Sequence, residues 1–511
     1  MAAGTPRSAK WTLVVAVLGS TMVFLDGTVV NVALPVMQRS LGASLSSMQW
    51  VVEAYALFLA SLVLVGGALG DRLGRRRVFV AGVAIFALAS ALCGLAPNAT
   101  LLVVARSVQG IGGALLVPGS LALISAAYDE DSRGGAIGAW SATTSIMAAL
   151  GPLFGGWLVT FASWRWLFFL NVPLGLATSL FALLHVEETH DEEATGVIDW
   201  AGASLVTLGL GLVVLALLEA PALGGIGDAR TLGILASGAV VIGAFVAVEA
   251  KKHEPMVKLS LFRSHTFSGA NALTLLLYAA LGGALFFLPF DLIQVQGYSA
   301  AQAGASLLPM IVLISALSPF MGRFVDRFGV RVPLVVGPLL AGAGFGLLAR
   351  AGVGGRYVSE VLPGVVVLGL GMGVTVAPLT TAVMGSVSNH HAGVASGINN
   401  AVSRAASVLA VAALGVALTT RFDDVLRREL GARGIDESAR TYVESHRDEL
   451  AGIDLSRFDD ATRSAIRGVL NEAYVAGFRV LMLACAILAV IGAGLALLLI
   501  DAKSVEKKAG S

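Results

Sequence analysis

The sequence predicts an all-α polytopic membrane protein with fourteen transmembrane helices. Hydrophobic residues make up 56% of the 511 residues and charged residues only 13%. A soluble domain carries about 25% charged residues. Apolar stretches long enough to cross a bilayer recur along the chain, and most charges lie between them. Too few charges remain to cover the surface of an ordinary soluble enzyme, and the composition excludes a nucleic-acid-binding protein.

The predicted spans follow from apolar runs of about 20 residues, the length that crosses a bilayer as a helix. They form a group of six, a group of two and a second group of six. In chain order they are 12–35, 48–69, 78–96, 99–127, 134–161 and 166–185; 200–219 and 231–249; and 266–290, 302–322, 332–350, 358–384, 392–420 and 478–500.

Lysine and arginine are distributed unequally over the segments that connect the spans. With the N-terminus in the cytoplasm, the cytoplasmic segments carry 17 of these residues and the short outer segments carry 5. Cytoplasmic loops are enriched in both residue types, so we expect both termini in the cytoplasm. The Ala- and Gly-rich composition suggests a bacterial source. The expected location is therefore a bacterial plasma (inner) membrane.

Two connecting segments share a pattern that predicts an internal repeat. GALGDRLGRRR at 67–77 and GRFVDRFGVR at 322–331 both contain Asp-Arg-x-Gly followed by Arg. The repeat predicts two six-helix halves, 1–185 and 266–511, with an inserted helix pair and its linkers at 186–265. Two parallel halves with a site between them at the membrane midplane are typical of transporters.

The first of these segments has residues that suit a tight turn at the membrane surface. Gly74 permits the turn, and Asp71 can face the positive end of a neighbouring helix. The arginines that follow can bind anionic headgroups or pair with Asp129 or Asp131. The segment is interpreted as a topology anchor or as a cytoplasmic gate formed by Gly67, Asp71, Arg72, Gly74 and Arg75.

Six motifs occur in order along the chain: LDGTVVNVALP at 25–35, GALGDRLGRRR at 67–77, RSVQGIGGA at 106–114, GPLFGG at 151–156, WRWLFFLNVPLG at 164–175 and IDWAG at 198–202. Together they resemble the major facilitator superfamily, and within it the fourteen-helix drug:proton antiporter family of the EmrB/QacA type. The resemblance implies the major facilitator fold with six, two and six helices, and proton-driven export without a cofactor. It covers nearly the whole chain except 421–477.

Ionisable side chains inside a span are costly, so each is a functional candidate. Asp26 in the first span and Glu53 in the second are acids that could exchange a proton for a cationic substrate. Arg106 in the fourth span keeps its proton, and the resemblance assigns the fourth-helix arginine a part in proton coupling. Gln109 lies three residues further on, on roughly the same face. The alternatives are a structural hydrogen bond for Asp26, a salt bridge without a transport role for Arg106, and a water-facing position for Glu53.

Further candidates lie in the fifth span and in the second half. Gly151, Pro152, Gly155 and Gly156 combine a kink with a small-residue packing face, and the resemblance makes them an antiporter motif. The polar candidates of the second half could also form only interhelical hydrogen bonds. They are Asn271, Asp291, Asn399, Asn400 and Arg404. No histidine or cysteine pattern predicts a metal site, and the His390–His391 pair is interpreted as a surface feature.

A hydrophilic insert at 421–477 interrupts the last two spans and holds 21 of the 67 charged residues. Its apolar residues recur at helical spacing, which predicts two amphipathic helices on the extracellular side. The insert is interpreted either as a solvated connector or as a lid over the exit or a partner contact.

Together these features predict a proton-coupled antiporter that exports drugs or other small amphipathic molecules, cationic ones included, by alternating access. The alternative is a proton symporter or facilitator that imports a small nutrient. A membrane enzyme or receptor would need a catalytic cluster at one membrane face, and the sequence contains no such cluster. The expected partners are a small-molecule substrate, protons and the lipid bilayer, with no nucleic acid, and the expected oligomeric state is a monomer.

Overall fold

The computed structural model describes residues 6–190, 199–252, 255, 257–387 and 392–501. Within these ranges, fourteen helices are long and apolar enough to cross a membrane. Each overlaps one of the fourteen predicted spans. The predicted fold class, an all-α polytopic membrane protein, is therefore confirmed.

The N-terminal part of the chain forms nine helices up to residue 251, among the residues described. The sixth span is divided between a single turn and the longer helix that follows it. The bounds are α1 Pro6–Leu41, α2 Leu45–Leu73, α3 Arg75–Leu95, α4 Ala99–Ala127, α5 Glu130–Phe161, α6 Trp166–Phe169, α7 Asn171–His185, α8 Trp200–Leu223 and α9 Ala229–Lys251.

The C-terminal part contains eight α-helices and two π-helical turns in the described ranges. The π turns, Asp291–Val295 and Tyr357–Val361, lie directly after α10 and directly before α14. The α-helices are α10 His265–Phe290, α11 Ala300–Ala305, α12 Leu308–Phe328, α13 Arg331–Leu348, α14 Leu362–Gly385, α15 Ala392–Ala432, α16 Glu437–Ser445 and α17 Asp460–Leu499.

Glycines allow α3 and α4 to pack with their backbones in contact. A Cβ on Gly112 would lie 2.6 Å from the backbone nitrogen of Phe86, and one on Gly82 would lie 2.9 Å from that of Leu116. Small residues at such positions are the usual way in which membrane helices approach closely. The pair α13 and α14 packs in the same manner, since a Cβ on Gly344 would lie 2.6 Å from the backbone nitrogen of Leu368.

The described residues divide into two compact units. The helices of the inserted pair, α8 and α9, are shared between them, because the turn that joins the two helices groups with the second unit. The first unit comprises residues within 1–43, 47–212 and 237–256, and the second those within 44–46, 213–236 and 257–511. The boundaries 1–185, 186–265 and 266–511 stay a prediction.

Asp199 ties the two inserted helices together at one end. Its Oδ1 accepts a hydrogen bond from the backbone N–H of Gly202 at 2.6 Å and forms an ion pair with Lys252. Burial raises the pKa of Asp199, but hydrogen bonds to Glu249, Lys252 and Gly202 outweigh it and hold the pKa below its usual value. The acid of the motif at 198–202 thus caps α8.

The insert at 421–477 differs from the prediction of two separate helices. The helices α15 and α17 run through its two ends without a break, so the amphipathic stretches are extensions of the last two membrane helices. No proline or other strong breaker follows the apolar stretch, and an existing helix is extended more readily than a new one is nucleated. Only α16 and a 3₁₀ turn, Arg447–Gly452, are additional elements. Six residues of the predicted apolar pattern are buried, whereas Ala465 of the same pattern is exposed; the buried residues are Val425, Leu426, Leu430, Ile466, Val469 and Leu470.

Candidate functional site

A buried ion pair joins α1 to α4. Arg106 Nη1 donates a hydrogen bond to Asp26 Oδ2 over 2.5 Å, and each residue is only 1% exposed. Both residues lie in helices that are long enough to span a membrane. An isolated charge there is expensive, so each of these charges depends on the other.

Gln109 closes a ring with this ion pair. It follows Arg106 by three residues on α4, which places both side chains on one side of the helix. Its Oε1 accepts from Arg106 Nη1 at 2.7 Å, and its Nε2 donates to Asp26 Oδ1 at 3.0 Å. Both carboxylate oxygens of Asp26 therefore have a donor. The structure brings these three predicted residues into one network.

Asn171 and Ser90 extend the network, and sequence reasoning missed both. Asn171 Nδ2 donates to Ser90 Oγ at 3.0 Å and reaches Asp26 Oδ1 at 3.5 Å. Ser90 Oγ also accepts from Gln109 Nε2 at 3.3 Å and donates to the carbonyl oxygen of Phe168 at 2.9 Å. Asn171 could have been found as the polar residue in the apolar motif at 164–175. Ser90 gives no comparable signal, since single serines are common in membrane helices.

The second helix holds the guanidinium of Arg106 from another side. Arg106 Nε donates to the carbonyl oxygen of Val51 at 3.0 Å, and its Cζ lies 4.1 Å from the centre of the Tyr55 ring. This approach of α2 to α4 requires Gly110, because a Cβ there would lie 2.5 Å from the Tyr55 carbonyl oxygen. A desolvated cation–π contact of this kind contributes about 2 kcal/mol.

Glu53 is buried but lies outside this network. It is 1% exposed, and its Oε2 has no hydrogen-bond partner among the residues that the structure describes. The water-facing position considered for Glu53 therefore does not hold in this conformation. Glu53 is a second buried acid of the first unit, without the cation that Asp26 has.

The network can change its charge only at Asp26. Arginine does not release its proton in proteins. A proton that adds to Asp26 would remove the negative partner of Arg106 and leave a buried cation, which then needs another anion, water or a structural change. Protonation of one carboxylate can thus be linked to a rearrangement of α1 against α4.

The glycine-containing turn between α2 and α3 has the predicted local structure, but its arginines form ion pairs with acids other than Asp129 and Asp131. Gly74 has a φ of 109°, a value that favours glycine, and Gly329 of the second sequence repeat has a φ of 79°. Asp71 pairs at 2.9 Å with Arg75, which is the first residue of α3. Arg72 is exposed, and a Cβ added to Gly67 would lie 3.6 Å from the ring of Pro118, an ordinary van der Waals distance.

Glu188 is the acid that the next two arginines contact. Its carboxylate accepts from the backbone N–H groups of Arg76 at 3.0 Å and Arg77 at 3.2 Å, and it lies 3.6 Å from both side chains. The expected pairing with Asp129 is therefore wrong, and the side chain of Asp131 lies outside the described residues. An acid at the N-terminus of α3 accepts hydrogen bonds from free N–H groups and interacts favourably with the helix dipole. Both effects explain why Arg76 and Arg77 contact Glu188.

The glycines of the fifth span pack against α1. A Cβ on Gly155 would lie 2.6 Å from the carbonyl oxygen of Val29, and one on Gly151 would overlap the side chain of Thr28. Pro152 lies between them inside α5, and Gly156 is buried. This close contact involves the same helix, α1, that carries Asp26.

The predicted residues of the second half fall into two separate places. Asn399 Nδ2 on α15 donates to Thr274 Oγ1 at 2.7 Å and to Asn271 Oδ1 at 3.2 Å, which links α15 to α10. Asn400 is exposed and Arg404 partly exposed further along α15. Asp291 lies instead in the π turn at the end of α10, where it is 1% exposed. The structure does not bring it together with the asparagines.

The described part of the chain contains no group of three or more His, Cys, Asp or Glu residues that could hold a metal ion. Both cysteines are free and buried. Cys93 contacts the network, with Sγ 3.7 Å from Gln109 Oε1. The His390–His391 pair lies outside the described residues.

The sequence matches the family model of the Major Facilitator Superfamily over residues 16–411. It is 36% identical to a tetracenomycin C resistance and export protein of Streptomyces glaucescens, over 82% of this chain and 78% of that protein. It is also 36% identical to the multidrug resistance protein Stp of Mycobacterium tuberculosis, over 86% and 81% of the two chains. A puromycin resistance protein of Streptomyces alboniger is 35% identical, over 80% and 82%.

Solved structures show the same fold at low sequence identity. A bacterial homologue of the human lysosomal transporter Spinster, inward-facing and unoccupied, aligns over 99% of both chains with a TM-score of 0.68 and 18% identity. The xylose transporter XylE from E. coli, in an inward open conformation, aligns over 98% and 99% with a TM-score of 0.57 and 14% identity.

Proposed function

The chain belongs to the major facilitator superfamily, and from this premise we propose that it is a proton-coupled antiporter that exports drugs or other small amphipathic molecules. The relatives named above are resistance and export proteins, which favours export over uptake. The chain is a multi-pass membrane transporter. We infer from its lysine and arginine distribution that both termini lie in the cytoplasm and that the membrane is a bacterial inner membrane.

The observation that carries the proposal is the buried ring of Asp26, Arg106 and Gln109. A carboxylate and a guanidinium inside membrane helices are costly to retain for packing alone. A carboxylate that alternates between pairing with an arginine and binding a proton provides the charge exchange that an antiporter requires. The low exposure of the pair prevents protons from leaking past it in this conformation.

In the proposed cycle, protonation of Asp26 frees Arg106 from its partner, and loss of the proton restores the ion pair. Gln109 and Asn171 hold the ionised carboxylate in place through their N–H groups. The α1–α5 contact at Gly151 and Gly155 transmits the rearrangement between helices. The two six-helix halves then alternate access to the two sides of the membrane, as in other transporters built from repeats.

The turn between α2 and α3 serves as the cytoplasmic gate in this proposal. The Asp71–Arg75 pair and the Glu188 contacts hold the start of α3 in one position. These contacts are partly exposed, so each contributes little alone and can be broken during a cycle.

The substrate is a small molecule, and the acids Asp26 and Glu53 favour cationic compounds. The driving force is the proton gradient, with no cofactor, and the transporter acts as a monomer in the bilayer. A symporter or importer on the same fold would move its substrate in the same direction as the protons.

A toxicity panel in a pump-deficient bacterial host tests the proposal. We expect the wild-type chain to raise resistance to one or more lipophilic cations, and a protonophore to remove that resistance. Asp26→Asn should abolish it without loss of the protein from the membrane. Asp228→Asn, at a partly exposed carboxylate of the α8–α9 turn that pairs with Arg230, is the matched control and should keep full resistance. Protonophore-insensitive resistance, or full resistance with Asp26→Asn, would contradict the proposal.

A further inference from the structure

Asp291 is a buried acid whose surroundings differ from those of Asp26. It begins the π-helical turn that ends the α10 span and is 1% exposed. Its Oδ1 has no hydrogen-bond partner among the described residues. The carboxyl group therefore has one buried oxygen that no protein donor satisfies.

The other oxygen of Asp291 has only a long contact. Gln296 Nε2 lies 3.4 Å from Oδ2. The same amide group is fixed by two shorter hydrogen bonds, from Nε2 to the carbonyl oxygen of Gly352 at 2.8 Å and from the backbone N–H of Gly354 to Oε1 at 3.0 Å. Gln296 is thus held by the neighbouring loop and cannot move closer to Asp291 without breaking these bonds.

The elements packed against the π turn provide no cation for Asp291 within ion-pair distance among the described residues. From α17, Tyr474 donates its hydroxyl proton to the carbonyl oxygen of Phe287 at 3.0 Å rather than to Asp291. Glu360, whose charge interacts electrostatically with Asp291, is itself an acid. Its carboxylate accepts a hydrogen bond from the backbone N–H of Gly352 at 2.8 Å. The α11 helix carries no titratable side chain.

The 3₁₀ turn of the insert also packs against this site. Its titratable groups are Arg447, Asp448 and Glu449, and Arg447 is paired with Asp423 at 3.7 Å. Leu450 of the same turn is 1% exposed and has a φ of 56°, which is strained for leucine. The one cation of this turn, Arg447, is therefore already paired, and the turn offers the π turn no unpaired cation.

A carboxylate buried without a cation is much less stable than its neutral acid. We propose that Asp291 is a second proton-binding carboxylate of the transport cycle, which holds its proton in this conformation while Asp26 is ionised beside Arg106. Binding converts the carboxylate and one proton taken from water into a neutral carboxylic acid, and release returns that proton to water. The inference rests on the proposed antiport.

Infrared spectroscopy of the full chain in lipid vesicles tests the protonation directly and requires no substrate. At neutral pH, we expect the wild type to show the carbonyl stretching band of a protonated carboxyl group that shifts in D₂O. Asp291→Asn should remove this component, Asp291→Glu should displace it without removing it, and Asp26→Asn should leave it in place. The Glu variant keeps the test valid if the Asn variant does not fold. Identical spectra for the wild type and both Asp291 variants would overturn the proposal.

Proton counting tests the place of Asp291 in the cycle. In proteoliposomes with ethidium as the probe, we expect Asp291→Asn to exchange one proton fewer per ethidium than the wild type, with Asp228→Asn unchanged. An unchanged stoichiometry would refute the role in transport. Absence of proton-driven ethidium movement in the wild type, with the infrared band present, would count against ethidium as a substrate and leave Asp291 identified as a protonated carboxyl.

Discussion

At the scale of single residues, the structure explains how charged side chains are tolerated between membrane helices. Asp26 and Arg106 neutralise each other, and Gln109 and Asn171 satisfy the remaining lone pairs of the carboxylate. The aromatic face of Tyr55 accommodates the guanidinium. The result is a charged group that is locally stable and can still be altered by one proton.

A comparison of a single with a double variant tests whether the ion pair stabilises the fold or serves transport. Asp26→Ala leaves Arg106 buried without its anionic partner and should cost about 3–5 kcal/mol of unfolding free energy. The double variant Asp26→Leu, Arg106→Met should recover most of that loss, because it removes both charges, yet transport a substrate without proton coupling. Thermal unfolding in detergent and vesicle transport give the two measurements. A double variant as unstable as Asp26→Ala would contradict the expectation.

Asp26, Arg106 and Gln109 could be predicted from the sequence because a charge in an apolar span is conspicuous and because all three lie in the motifs at 25–35 and 106–114. The sequence did not predict Ser90 or Asn171, whose roles depend on which helices become neighbours. It also indicated anionic headgroups, Asp129 or Asp131 as partners of the arginines after Gly74. The structure uses Glu188, because the residues that follow α7 return to the start of α3. Pairing between distant segments is a property of the fold that local patterns do not encode.

At the scale of helices, small residues determine which pairs come into contact. The α5 helix offers a test with a control on the same helix. Gly155→Val places side-chain atoms against the backbone of Val29 and should destabilise the protein by about 1–3 kcal/mol, with loss of transport. Gly138→Val should have little effect, since no atom lies within 4 Å of a Cβ at that position. Equal effects of the two substitutions on the unfolding temperature would refute this packing role.

The cap on α3 gives a second prediction at this scale. Glu188→Gln removes a charge from the N-terminus of α3 and from Arg76 and Arg77, and should cost about 1 kcal/mol, since caps and helix-dipole contacts are typically of this size. The adjacent Glu187→Gln is the control, because Glu187 is exposed. Hydrogen exchange should accelerate at the first turn of α3 in the Glu188 variant only. Unchanged exchange there would show that Glu188 does not cap the helix.

The extended forms of α15 and α17 show where apolar patterning fails as a guide to helix ends. Hydropathy marks where a helix leaves the hydrocarbon, whereas the helical conformation continues until a residue disfavours it. The predicted number of spans is therefore correct, and the outer bounds of the last two spans, 392 and 500, agree with the helices. Their ends that face the insert, 420 and 478, lie 12 and 18 residues from Ala432 and Asp460. The sequence could not show that the 3₁₀ turn between the two helices packs on the end of α10.

At the scale of the whole molecule, the proposed orientation can be measured by cysteine labelling. Both native cysteines are buried, so background labelling should be low. A membrane-impermeant maleimide applied to intact cells should label Ser456→Cys in the insert and should not label Arg77→Cys, which is exposed at the opposite membrane face in the proposed topology. Broken cells should label both. Labelling of Arg77→Cys in intact cells would reverse the orientation.

The central claim is that protonation of Asp26 drives export in the direction opposite to proton flow. Its most direct test is substrate movement in proteoliposomes under imposed pH gradients of both signs, with a compound from the resistance panel. The account predicts accumulation of the compound on the acidic side for the wild type, reversal when the gradient is reversed, and no response for Asp26→Asn. Movement in the same direction as the protons, or a full response by Asp26→Asn, would contradict it.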